Sequence, residues 1–393
     1  MTDLVLKGGE VIDPSQDLRE RLDIAVRDGA IAQIAPTIRA DDATQVVDVS
    51  GKLVVPGLID LHTHIYEGVN QNGINPDLAG VRSGVTTVVD AGSAGCYTFG
   101  GLSQYVVPNA STRIVCFLHI ARTGLSYQPE ISGRDDIDLD ETVRVITENR
   151  PLVQGVKLRA IGPTVPTLGM ELFHLAKRAA RDAGVRLMVH IGDREIEDGP
   201  ALTRDLLPLM EPGDILTHLF TDNVGRILDG GGHVMPEVLD AQARGVVLDT
   251  AFGRYNFSFD VAKRALDQGV NPKTISTDMT PPGRRNTVHS LTEMLGRFLA
   301  LGFSLEDVIG MVTVNPAAAL GMDDSLGSLA VGRTADVTVL EEASGDWVFH
   351  DAFGNTIKGE TALVPVLTVK GGELFAPDWG PRPWGWLPRS VSP

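Results

Sequence analysis

Eight apolar runs, separated by helical stretches, constrain this chain more than any other feature. From Leu58 onward the runs "GLIDLHTH", "VTTVVDAG", "RIVCFLHIA", "VQGVKLRA", "VRLMVHIG", "DILTHLF", "GVVLDTAF" and "TISTDMT" follow one another at roughly thirty-residue spacing. Near-continuous apolar runs are the mark of parallel strands buried on both faces. Between them lie stretches with helical periodicity, such as "ELFHLAKRAARDAG" and "VAKRALDQG". An open doubly wound sheet also alternates strand and helix. Eight repeats without a glycine-rich dinucleotide fingerprint point instead to a (β/α)8 TIM barrel, class α/β.

The two ends of the chain use a different grammar. "DLVLKGGEVID", "DIAVRDGAIAQIA" and "TQVVDVSGKLVV" alternate apolar and polar residues around Gly-Gly, Asp-Gly and Ser-Gly turns. After the helices "SLTEMLGRFLALG" and "SLEDVIGMVTVNPAAALG", strand patterning returns in "GSLAVGRTADVTVLEE", "WVFHDAFGN" and "LVPVLTVKGGELF". The expected organisation is a small β-sandwich domain formed by residues 1–55 and 325–393, flanking a barrel of residues 56–324. The final stretch, "APDWGPRPWGWLPRSVSP", carries Trp379, Trp384 and Trp386. It reads as an extended tail packed on the surface or as a subunit contact, which leaves room for a homo-oligomer.

Basic residues number 34 against 51 acidic, net −17, and no run of clustered Lys and Arg of the kind a polyanion needs appears. Nucleic acid and anionic membrane are therefore not expected partners, and a small-molecule substrate is. No apolar run approaches the ~18–20 residues of a membrane-spanning helix. Cys96 and Cys116 are the only cysteines. Two make no disulfide framework and suit a reducing, cytoplasmic setting. The opening "MTDLVLKGGEVIDP" lacks the charged and apolar segments of a signal peptide.

In a barrel the chemistry gathers at the C-terminal ends of the strands. Those ends carry His62 and His64 on the first run, Lys157 on the fourth, His190 on the fifth, His218 on the sixth and Asp278 on the eighth. From His64 onward the steps are 93, 33, 28 and 60 residues, close to whole multiples of one β/α unit. Imidazole suits zinc and similar borderline cations, and carboxylate oxygen completes such sites. His62 and His64, two apart on a strand, point the same way and can grip one ion together. Lys157 is a poor ligand as an ammonium. Having lost its proton it can take up CO2, and the resulting carbamate can bridge two cations. Two divalent ions, expected to be zinc, would share a hydroxide and polarise a carbonyl. Asp278 would bind one metal, accept the proton of the attacking water and pass it to the leaving group.

"VVPGLIDLHTH", "GVKLRA", "VHIGD", "LTHLF", "STDMT" and "GRTADVTVL" resemble the amidohydrolase superfamily, in particular its dihydroorotase-like and deacetylase-like metal-dependent hydrolases. The resemblance covers nearly the whole chain. It implies His62, His64, Lys157 and Asp278 around the more buried metal, with a carbamylated Lys157 bridging, and His190 and His218 on the more exposed one. It further implies hydrolysis of an amide, cyclic amide or ester. Alternatives are an N-acyl amino acid deacylase with one tightly bound metal, and a non-catalytic dihydropyrimidinase-like scaffold. Scaffold proteins of that kind have lost ligands, whereas this chain keeps all six.

Arg122, Arg159, Arg254, Arg284 and Arg285 follow strand ends and would suit a substrate carboxylate, with Arg159 two residues from Lys157. The expected substrate contacts are Arg159, Tyr97 in the glycine-rich "GSAGCYTFGG" loop, His119 at the end of the third run, and Arg284. His174, His233, His289 and His350 are expected to be solvated.

Overall fold

The computed structural model describes residues 2–39, 41, 43–162, 164–194 and 202–378. Trp379, Trp384 and Trp386 lie outside the described residues. The first five strands are β1 (Thr2–Asp13), β2 (Leu18–Arg27), β3 (Ala30–Ala35), β4 (Ala43–Asp48) and β5 (Leu53–Pro56). The last three are β13 (Val337–His350), β14 (Thr356–Lys370) and β15 (Glu373–Phe375). Both ends of the chain join one mixed sheet, ordered β15-β14-β13-β5-β1-β2-β3, with β4 paired to β1. The seam is the antiparallel pair β5–β13, where Val54 faces Val339. Leu4, Leu6, Val11, Ile24 and Val26 from the N-terminal strands pack there with Val337, Val339 and Val369. The alternating apolar residues of the two ends thus share one core.

Between these ends run β6 (Leu58–Thr63), β7 (Val85–Gly95), β8 (Arg113–His119), β9 (Val153–Arg159), β10 (Arg186–His190), β11 (Ile215–Thr217) and β12 (Val247–Asp249). They pair in chain order as a seven-stranded parallel sheet. Amphipathic helices such as Met170–Asp182 and Phe259–Asp267 turn Leu172, Phe173 and Ala176, or Val261, Ala262 and Ala265, into the protein.

The eighth apolar run does not extend into a ladder. Isolated parallel bridges join Thr274 to Asp249 on one side and Met279 to Thr63 on the other. Thr250 N–H donates to Thr274 O (3.2 Å), and Asp278 N–H donates to His62 O (2.7 Å). This segment therefore spans the gap between β12 and β6 and completes a TIM-barrel-like ring. Its regularity breaks because Asp278 adopts φ 50°, outside the β region.

Two further expectations are corrected. "SLEDVIGMVTVNPAAALG" is not one helix but two, Leu305–Gly310 and Val314–Leu320, interrupted at Thr313 (φ −130°, ψ −89°). His289 is not solvated: it is 4% exposed, and its backbone N–H donates to Glu293 Oε2 at 2.6 Å.

Candidate metal centre

The ends of β6, β9, β10 and β11 and the segment after Thr277 converge on one buried cluster. His64 Nε2 lies 3.1 Å from Asp278 Oδ1, and His62 Nε2 lies 3.6 Å from the same oxygen. The His62 and His218 rings are 4.9 Å apart, and those of His218 and His190 4.0 Å. Lys157 Nζ sits 3.3 Å from His62 Nε2 and 3.3 Å from Met188 Sδ. Met188 belongs to an apolar cluster with Ile59, Leu61, Val89, Phe117 and Ile215, so the lysine tip abuts hydrocarbon.

Hydrogen bonds from outside the cluster fix the imidazole tautomers. Thr217 Oγ1 donates its one proton to Asp249 Oδ2 (2.7 Å). The 2.9 Å contact between His62 Nδ1 and Thr217 Oγ1 must then be donated by the histidine. His218 Nδ1 donates to Ala251 O at 2.8 Å. Both rings are left with an unprotonated Nε2 facing the cluster, that of His62 beside Lys157 Nζ, the form a cation takes up. His64 Nδ1 is held by Ser93 Oγ (3.0 Å), and Ser93 N–H is itself bonded to Asp90 Oδ1 (2.7 Å).

Backbone strain accompanies this placement. His218 (φ 69°) and Asp278 (φ 50°) both occupy the left-handed region, which costs non-glycine residues of order 1–3 kcal/mol and collects at functional sites. Gly253 makes room for Asp278: a Cβ there would fall 2.4 Å from Asp278 Oδ2.

Electrostatics follow from burial. Desolvation, reinforced for His62 and His190 by neighbouring cationic groups, holds both imidazoles well below the usual histidine range. His218 is pushed down to about 4, again chiefly by burial. Burial pulls Lys157 down to about 7, against the carboxylates of Asp278 and Asp249. Burial alone would raise Asp278, but its hydrogen bond and charge interaction with His64, together with His218 and Lys157, bring it below the ordinary aspartate value. His62, His190 and His218 are thus neutral, the aspartate anionic and the lysine poised to lose its proton.

A divalent cation fits this donor set. Ligand atoms of His62, His218 and Asp278 all lie within 4.8 Å of one another, and His218 Nε2 is buried with no hydrogen-bond partner among the described residues. Above the cluster opens a cavity of about 690 Å³, walled by His64, Glu130, Arg159, His190, Arg254 and Asp278 among others.

The remaining sequence candidates divide. Arg159 reaches the cavity wall, where Glu130 binds it at 2.5 Å. His119 is fully buried beside Lys157 and accepts the Ala121 N–H on Nδ1. Tyr97 is not brought to the cavity: it is 58% exposed, with its hydroxyl on Asp138 and Arg122 over its ring. Arg284 lines a separate cleft with Asn75, Pro281 and Asp378, drawn there by the Asp378 carbonyl and carboxylate.

Residues that sequence reasoning passed over are the buried supports. Asp60 accepts both the N–H and the hydroxyl of Thr277 (3.0 and 2.6 Å), and burial raises it to about 7. Asp249 gathers Thr217, Thr274 and Ser276. The available signal was a carboxylate inside a largely apolar run, since such a group needs buried partners.

The barrel and the donors at its mouth define the class, a metal-dependent hydrolase. The model of the Amidohydrolase family matches residues 53–373, and the chain belongs to this family. It is an enzyme that hydrolyses C–N bonds of small-molecule amides, in a superfamily that generally uses divalent metals. Among curated relatives, a deacetylase of Agrobacterium fabrum is 33% identical over 352 residues, covering 89% of this chain and 85% of its own. A deacetylase of Enterococcus faecalis is 29% identical over 379 residues, 95% and 99% of the two chains. Among crystal structures, an adenine deaminase superimposes with TM-score 0.88 at 29% identity, covering 96% of this chain and 100% of that one. A dihydroorotase gives 0.84 at 30%, covering 95% and 99%. Among the described residues no helix is long and apolar enough to cross a membrane.

Proposed function

We propose that this chain is a binuclear zinc deacylase that cleaves an N-acyl, cyclic amide or O-acyl bond in a small substrate bearing a carboxylate. The observation that carries it is the His62–His218–Asp278 cluster, whose ligand atoms crowd within 4.8 Å of one another, with Asp278 also lining the cavity. His62, His64, Asp278 and a carbamate on Lys157 would hold the more buried ion, and His190 and His218 the more exposed one. Such ions, when bound, acidify water and polarise a carbonyl.

The chain's own residues supply the rest. The Lys157 amine, held near neutrality by burial, has the free electron pair that capture of CO2 requires. Asp278, anionic and hydrogen-bonded to His64, accepts the proton of the attacking water on a carboxylate oxygen and returns it to the departing nitrogen or oxygen. Arg254 and Arg194, both stacked on Tyr255 at the cavity wall, offer positive charge to a substrate carboxylate beside the Arg159–Glu130 pair. Deacetylases among the relatives support the acyl class.

We also place domain boundaries near residues 56 and 325, with the mixed sheet folding as a small sandwich around the shared core of its two ends. Cys96 and Cys116, buried and unbridged, suit the reducing cytoplasm.

The test pairs metal analysis with a screen of N-acyl and O-acyl carboxylic acids and cyclic amides on the zinc-loaded protein. Two ions per chain and preference for carboxylate substrates are expected. One ion per chain would move the assignment to a mononuclear deacylase, and equal turnover of neutral analogues would remove the carboxylate.

A further inference from the structure

His119 ends β8 and stands in register with Lys157 on β9. Its Nδ1 receives the backbone N–H of Ala121 at 2.9 Å. A backbone N–H only donates, so Nδ1 holds the lone pair and the ring proton sits on Nε2. This is the reverse of His62 and His218, whose Nδ1 donates and whose Nε2 carries no proton. His119 is therefore unsuited to ligate a metal through Nε2 and is set up as a hydrogen-bond donor. That donor is fully buried and has no partner among the described residues. Leaving a buried polar group unsatisfied is costly, and so points to a bound acceptor.

The position of the ring says which acceptor. A Cβ on Gly92 would fall 3.2 Å from His119 Cδ2, the carbon bonded to Nε2, and 2.7 and 2.8 Å from Lys157 Cγ and Cβ. The donor edge of the ring and the lysine stem thus flank the same glycine, whose φ of +90° and missing side chain permit the approach. His119 does not line the substrate cavity. The register with Lys157 and the shared approach to Gly92 point to a group carried by the lysine.

We propose that His119 is a positioning residue that donates a hydrogen bond from Nε2 to the carboxylate formed when CO2 adds to Lys157 Nζ. In that addition the Nζ electron pair forms a bond to the CO2 carbon. One C=O π pair moves onto oxygen, and Nζ releases one proton to solvent, leaving a neutral N–H and a carboxylate anion. The inference rests on the carbamate reading above. A hydrogen bond to a charged acceptor is among the stronger kinds, so its loss favours decarboxylation and raises the CO2 needed to fill the site by about tenfold.

The experiment reconstitutes the protein with zinc across a range of ¹³C-bicarbonate concentrations. It reads the carbamate carbon by ¹³C NMR and bound zinc by elemental analysis, with Lys157→Met as blank. His119→Phe is expected to need about tenfold more bicarbonate than wild type for half-maximal signal, while His119→Gln, which keeps an amide N–H donor, stays near wild type. His119→Met replaces the phenylalanine variant should that one not fold, as judged by circular dichroism. An apolar variant with the wild-type bicarbonate midpoint overturns the role of His119 alone. A wild-type protein with no signal above the Lys157→Met blank overturns the carbamate reading, and this inference with it.

Discussion

The barrel mouth and the small mixed sheet solve opposite problems with the same chain. In the sheet, Leu4, Val11, Ile24, Val337 and Val369 bury side chains that need no partner, and alternation alone decides which face turns in. At the mouth, His62, Lys157, His218, Asp60 and Asp249 are buried just as fully, yet each needs a designated neighbour. Burial yields stability in the first region, whereas in the second it depresses the histidines and Lys157 and strains His218 and Asp278. Substitutions should therefore separate the two regions cleanly, the mouth answering in chemistry and the sheet in stability.

The largest separation is expected from Asp278→Asn. It removes the proton acceptor while keeping the shape, and should lower kcat by about 10²–10⁴-fold with little change in thermal midpoint. Normal turnover would refute the proton-transfer role. Next in size is a pH effect at Lys157. Its folded pKa of about 7 lies below the ordinary lysine value of 10.5, so between those values the unfolded chain binds a proton that the folded chain does not. The charge costs nothing above pH 10.5, the cost grows as pH falls through the window, and it is constant below about 7. Metal-free wild type should lose stability relative to Lys157→Met at roughly 1 kcal/mol per pH unit inside that window, measured by urea unfolding at a series of pH values. Parallel pH profiles for the two proteins would show that the lysine is not desolvated.

In the sheet, Leu4→Ala should cost about 2–5 kcal/mol of stability and leave kcat of the surviving folded fraction unchanged. A fall in kcat at full folding would mean that the sheet reaches into the chemistry.

The difference between the regions also explains what could be read in advance. The sheet was legible because its rule is local, a period of two broken by turn residues. The six mouth residues were legible because each ends an apolar run, and the runs recur at one spacing. Thr217 and Asp249 were not, since neither has meaning until β11 and β12 stand side by side and Thr217 presents its hydroxyl to His62. Arg284 looked equivalent to Arg159 in sequence, both following strand ends. Only the packing of Asp378 against the helix Pro281–Asn286 decides that Arg284 faces another cleft. The eighth run read as a full strand because its composition is that of one. The left-handed turn at Asp278, which orients the carboxylate toward His62 and His64, leaves no trace in hydrophobic periodicity.

The finest probe of the comparison is Thr217→Val, which keeps volume and burial and deletes one hydroxyl. In the apolar sheet such a change would be nearly silent. At the mouth it leaves His62 Nδ1 without the acceptor that fixes its tautomer and Asp249 with one donor fewer. The imidazole is then free to place its proton on Nε2, where it blocks the lone pair a cation requires. Loss of an outer hydrogen bond of this kind typically lowers metal affinity by about 10–100-fold. Competition with a zinc chelator should show that loss without a comparable fall in thermal midpoint of the metal-free protein. Unchanged zinc affinity would mean that His62 is held by its packing alone, and the contrast between the two regions would shrink to one of composition.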